Sequence, residues 1–158
     1  SALLKKTGLE ARIAQGEMTA LPYKPESFDG VVASQVIHHC RVETLRQIID
    51  RIYELLAPGG YFVWVTPMRD HCEWGKGDEV EPGTWVNPDH HEGPVPHHYC
   101  REEEVREFLK AFDIQIVERS RFEREGRHYS HWRILAQKPA GERYDIPPEG
   151  GKRSQIQA

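Results

Sequence analysis

Apolar residues recur along the middle of the chain at two different spacings. From Thr44 to Leu56, Leu45, Ile48, Ile49, Ile52, Leu55 and Leu56 return every three or four positions, the spacing of one face of an α-helix. Thr44 and Gln47 are placed to form a capping box, and Pro58-Gly59-Gly60 stops the helix. Phe28 to Ala33 and Tyr61 to Val65 are instead short, unbroken apolar runs. Runs of that kind suit strands covered on both faces. Strand, helix and strand in this order indicate a right-handed βαβ unit and a parallel sheet.

The flanks extend this pattern. Ser1 to Leu9 reads as the last turns of a helix, with Lys5 and Lys6 at its end and Gly8 as the left-handed cap. Ala11 to Ala14 is then a short strand leading to Gly16-Glu17, and the closely spaced Pro22 and Pro25 make the next stretch a loop. Arg101 to Phe112 is helical, with Val105, Phe108, Leu109 and Phe112 on one face. Ile114 to Glu118 and Tyr129 to Gln137 follow as two strands, expected to pair as an antiparallel hairpin at the sheet edge across a charged turn near Glu123 to Gly126. Between the two halves, residues 67–98 lose all periodicity and hold five of the nine histidines and five of the eleven prolines. So long a segment without a pattern is a lid, an insertion or a loop. Residues 140–158 are Pro, Gly and charge, the composition of a disordered tail.

Composition narrows the class. The 158 residues suffice for one domain with a core, and a mean hydropathy of −0.69 places the chain on the polar side of globular proteins. A net charge of −4 gives no electrostatic reason to expect nucleic acid as a partner. Three cysteines, Cys40, Cys72 and Cys100, cannot all pair within the chain, which favours a reducing, intracellular setting. There is neither an apolar run of membrane-spanning length nor the charge, apolar and cleavage order of a signal peptide, so a soluble cytoplasmic protein is expected.

Four anchors in order resemble a known family: Glu17-Met18 with Leu21-Pro22, Ser27-Phe28-Asp29 with Ile37-His38-His39, Leu56-Ala57-Pro58-Gly59-Gly60, and His131-Trp132-Arg133-Ile134-Leu135-Ala136. Together they resemble the C-terminal two-thirds of a class I S-adenosylmethionine-dependent methyltransferase of the small-molecule type, over residues 3–139. The resemblance implies an α/β, Rossmann-like sheet, mostly parallel, with an antiparallel C-terminal hairpin. It also implies S-adenosyl-L-methionine as cofactor and methyl transfer to a small-molecule acceptor. The family's glycine-rich loop and the acidic residue after its second strand have no counterpart here. The expectation is therefore a partial domain over residues 1–139, incomplete at its N-terminus, with a gap at the centre of its sheet. The missing part would be supplied by a longer parent or by another chain, such as the partner in a homodimer.

By the same resemblance, Glu17 accepts a hydrogen bond from the adenine amino group and the Met18 backbone N–H serves a ring nitrogen. Ser34 and Gln35 hold the methionine end. His38 and His39 are the candidate general bases, imidazole being suited to remove a proton near neutral pH. Trp85, His97, His98 and Tyr99 lie in a segment that resembles a substrate-side insertion, and are the acceptor-pocket candidates. Tyr129 and His131 share one face of the last strand and Trp132 takes the other, all three read as packing. His71-Cys72, His90-His91, His97-His98 and Cys100 bear metal-ligating side chains, but their spacing matches no zinc motif and the reading assigns no metal ligand. A metal-binding module and a non-catalytic, truncated methyltransferase-like piece are the rival readings.

Overall fold

The computed structural model describes residues 13–141. Seven strands and two α-helices follow a 3-10 turn at Met18–Ala20: β1 (Phe28–Ser34), α1 (Val42–Leu55), β2 (Leu56–Pro67), β3 (Asp78–Glu81), β4 (Thr84–Val86), β5 (Pro96–His98), α2 (Glu102–Phe108), β6 (Asp113–Arg124) and β7 (Arg127–Gln137). Four strands form the main sheet in the order β1-β2-β7-β6. β1 and β2 are parallel, β7 runs antiparallel to β2, and β6 pairs antiparallel with β7 at the edge. The other three strands form a small antiparallel sheet, β3-β4-β5.

The βαβ unit and the C-terminal hairpin are as the periodicity predicts. Leu45, Ile48, Ile49, Ile52 and Leu55 are the buried face of α1. All but Leu55 share one core cluster with Phe62 and Trp64 of β2 and with Val105, Phe108, Leu109 and Phe112 around α2. The hairpin turn is Glu125-Gly126, both at positive φ, 53° and 70°. That is the primed geometry whose twist matches paired strands, so both strands run longer than their apolar cores suggest. The segment 67–98 is built rather than loose. Pro82-Gly83 forms the tight turn between β3 and β4, with Gly83 at φ 85°, the Pro-Gly signature of a type II turn. A Cβ at Gly83 would stand 2.5 Å from Arg69 Nη2.

Four expectations are corrected. β1 is not covered on both faces, because Val32 is 72% exposed and β1 pairs only with β2 among the described residues. Among the described residues the main sheet shows no central gap; its four strands are contiguous and β1 is an edge. Ile13 and Ala14 are not in a strand, since no neighbouring strand among the described residues offers them hydrogen bonds, and Ile13 is 74% exposed. Helix α1 starts at Val42 and does not use Thr44 and Gln47 as a capping box. Its cap comes from Glu81, 39 residues away, whose Oε1 accepts the Val42 N–H at 2.7 Å. The proposed helix at Ser1 to Leu9, Ala11 of the first strand and most of the tail lie outside the described residues.

A histidine-lined candidate site

The polar turn after β1 turns the chain across the ends of the parallel strands. Gln35 sits at φ 53°, and its N–H donates to Val65 O at 3.0 Å. A side chain at positive φ is costly outside glycine, and such positions cluster at functional sites. The turn delivers His38 and His39 over the carboxyl ends of β1 and β2. The insertion approaches from the other side, and the two segments are joined by the backbone bond from His98 N–H to His38 O, 2.9 Å.

Between them lies a cavity of about 160 Å³. Its floor is Gln35, His38, His39 and Pro67; β5 contributes His97, and the loop before it His90, His91 and Glu92. Tyr129 and His131 of β7 close a further wall with His71. Seven of the nine histidines therefore face one space. Their rings pack edge to face or tilted, with centroids 4.1 Å apart for His38–His39, 4.6 Å for His39–His97 and 4.4 Å for His90–His97.

Burial governs the protonation of this wall. It pushes His38, helped by the neighbouring His39 and His97, down to about 2, and takes His71 to about 4. His131 and His90 are lowered by the same cause. His39 is lowered too, with Glu92 opposing the effect of burial. The imidazoles of His38 and His71 are thus neutral at pH 7. Burial raises Glu92, but the His97 hydrogen bond and the nearby imidazoles outweigh it and hold the carboxyl below its ordinary range. His38 Nδ1 is buried with no hydrogen-bond partner among the described residues.

The structure brings together only part of the expected set. Gln35, His38, His39, His97 and Tyr99 line the cavity. Ser34 is exposed at the end of β1 and stays off the lining, as does Trp85, which packs on Trp74 at 5.4 Å. His98 is fully buried away from it, its Nδ1 2.9 Å from Thr84 Oγ1, because alternation along β5 turns it opposite to His97. Glu17 is exposed ahead of the 3-10 turn and outside the cavity, while Met18 packs against the core. Tyr129 and His131, read as packing, line the cavity; Trp132 is core and donates its indole N–H to Cys100 O at 2.9 Å. Glu92 and Glu73 were not singled out from the sequence. For Glu92 the signal was its place beside His90-His91, an acid among imidazoles.

The comparisons agree on the architecture. A family model described as a methyltransferase domain matches residues 1–64. No curated protein sequence matches the chain significantly. Among solved structures, an S-adenosylmethionine-dependent methyltransferase from Methanosarcina mazei is similar, at 20% identity and a TM-score of 0.65, covering 78% of this chain and 65% of that one. The 1,6-didemethyltoxoflavin-N1-methyltransferase of Burkholderia thailandensis, solved with 1,6-didemethyltoxoflavin and S-adenosylhomocysteine, is 21% identical, with a TM-score of 0.63 and coverage of 87% and 55%. The N-methyltransferase NodS of Bradyrhizobium japonicum, in complex with S-adenosylhomocysteine, is 17% identical, with a TM-score of 0.59 and coverage of 86% and 59%. The chain has the Rossmann-like fold of the class I S-adenosylmethionine-dependent methyltransferases. It spans less than two thirds of the length of each of these three chains. No helix among the described residues is long and apolar enough to cross a membrane.

Proposed function

We propose that this domain transfers the methyl group of S-adenosyl-L-methionine to a small-molecule nucleophile seated in the histidine-lined cavity. The observation that carries the reading is the cavity's place, at Gln35 and Pro67, outside the carboxyl ends of β1 and β2. Open α/β sheets bind their ligands there. The methionine end of the cofactor would lie along Ser34 and Gln35, and the adenine toward Glu17 and Met18. His97 and Tyr99 would contact the acceptor, with Trp85 and His98 supporting them from behind.

In the reaction the acceptor's lone pair forms a bond to the methyl carbon as the carbon–sulfur bond breaks. The electron pair stays on sulfur, which becomes a neutral thioether. The cavity's contribution is alignment of the two reactants and removal of the acceptor's proton. Of the two candidate bases, His39 suits that task better. His38 is buried so deeply that its proton affinity falls to about 2, far from the operating pH at which a general base works best.

Calorimetric titration of the 158-residue chain with S-adenosylhomocysteine tests the reading. Saturable 1:1 binding, weakened in Gln35→Pro, is expected; the absence of detectable heat across a concentration series would reject cofactor use by this chain.

A further inference from the structure

The acidic centre of the cavity is a single oxygen. Glu92 Oε2 stands 3.1 Å from His97 Nε2, 3.3 Å from His39 Nε2 and 3.7 Å from His90 Nδ1. The donor atoms of His90, Glu92 and His97 all lie within 4.8 Å of one another, and so do ring nitrogens of His38, His39 and His97. Four ligands placed tetrahedrally around zinc at roughly 2.0–2.1 Å are roughly 3.3–3.4 Å apart. The three separations that meet at Glu92 bracket that edge length.

The tautomers point the same way. His97 Nδ1 faces Val95 O at 2.9 Å. A carbonyl only accepts, so Nδ1 carries the proton. Nε2 then meets the carboxylate at 3.1 Å, an approach that needs a positive charge between the two, either a second ring proton or a metal ion. Fixing one ring nitrogen on a backbone carbonyl is also how proteins orient a ligating imidazole.

We propose that His39, His90, His97 and Glu92 form a binding site for one divalent transition-metal ion, zinc foremost. Three imidazoles and one carboxylate are the nitrogen and oxygen donors such an ion takes. Glu92 N–H also leans on His90 Nδ1 at 3.3 Å, so His90 is the most weakly committed of the four and the one an incoming oxygen, nitrogen or sulfur ligand would displace. The site is assembled from two separate segments. His39 comes from the turn after β1, and the other three residues from the insertion 51 to 58 positions later, which is why no local zinc spacing exists. The site stands on these residues and does not depend on methyl transfer, but a metal on His39 Nε2 takes up the lone pair that a general base needs, so His39 serves one role or the other.

The test is metal binding by untagged chain, stripped with chelator and titrated with Co²⁺ and Zn²⁺. The expected result is one equivalent per chain, with the intense visible bands of tetrahedral Co²⁺ and displacement of cobalt by zinc. Glu92→Gln and His97→Asn are expected to weaken binding at least tenfold, and His128→Ala, an exposed histidine outside the cluster, to leave it unchanged. Glu92 is 41% exposed, so its variant reports even where the buried His97 change prevents folding. Octahedral-type cobalt spectra with equal losses in all three variants, or no retained metal, would overturn the site and leave a proton as the charge between His97 and Glu92. Calorimetry with S-adenosylhomocysteine is read separately, so failure of either result does not decide the other.

Discussion

Removing the Glu81 carboxylate should uncouple the insertion from the main domain. Its Oε1 accepts the Val42 N–H at 2.7 Å, at the first turn of α1, and the Thr84 hydroxyl at 2.9 Å. Thr84 in turn contacts the fully buried His98, and His98 N–H holds His38 O. One side chain thus caps the central helix and anchors the sheet that carries His97. A net contribution of about 1.5–3 kcal/mol is typical for hydrogen bonds to a charged group, and loss of an N-cap costs about 0.5–2 kcal/mol. The contact with Arg41 Nη1, at 3.8 Å and half exposed, adds little. Because the cap is one of those same hydrogen bonds, the terms overlap. Glu81→Ala should therefore cost about 2–3 kcal/mol. Glu81→Gln keeps an acceptor but loses the negative charge at the helix N-terminus, and should cost about 1 kcal/mol. Urea unfolding followed by circular dichroism at pH 7 measures both, and amide exchange at Val42 should quicken in both variants. A Glu81→Ala stability within about 0.5 kcal/mol of the parent, the range of an inconsequential surface change, would refute the cross-chain cap.

Further outcomes are expected from single features. Leu45→Ala, at a fully buried position on α1, should lower stability by about 2–5 kcal/mol in the same urea assay. Burial takes His71 down to about 4. Its unfolded pKa is higher, so the unfolded chain binds more protons between those values. The stability it contributes is complete above about 6.5 and is lost as pH falls toward 4, and His71→Gln should show a shallower fall in urea midpoint over that window. Burial pushes the Cys100 thiol up to about 12, and the residue is 1% exposed. A thiol reagent should therefore label Cys72 in the native protein and reach Cys100 only on unfolding. Gln35→Ile places a β-branched residue at φ 53° and should cost about 1–2 kcal/mol, whereas Gln35→Gly should be tolerated.

What the sequence determined by itself is local. The 3.6-residue spacing from Leu45 to Leu55 set helix α1, the apolar run at Tyr61 to Val65 set the centre of β2, and the charged stretch ending at Gly126 set the hairpin turn. Each follows from side chains a few residues apart, where periodicity and backbone preference act. The order of these elements was enough for the class of fold. Tertiary structure decided the rest. Alternation on β5 fixed that one of two consecutive histidines would enter the cavity, but only strand pairing determined which: His97 and not His98. The cap of α1 was invisible because its carboxylate lies 39 residues from the N–H it accepts. β1 looks buried by composition, yet exposure depends on which elements lie beside it, and Val32 is open. The gathering of seven histidines is the strongest case. The sequence places them in separate segments from His38 to His131, and only the packing of the β1 turn, the insertion and β7 brings them around one cavity. Distances of 3 to 4 Å between residues 53 apart, as for His39 and Glu92, arise from the packing of whole elements, which no local pattern encodes.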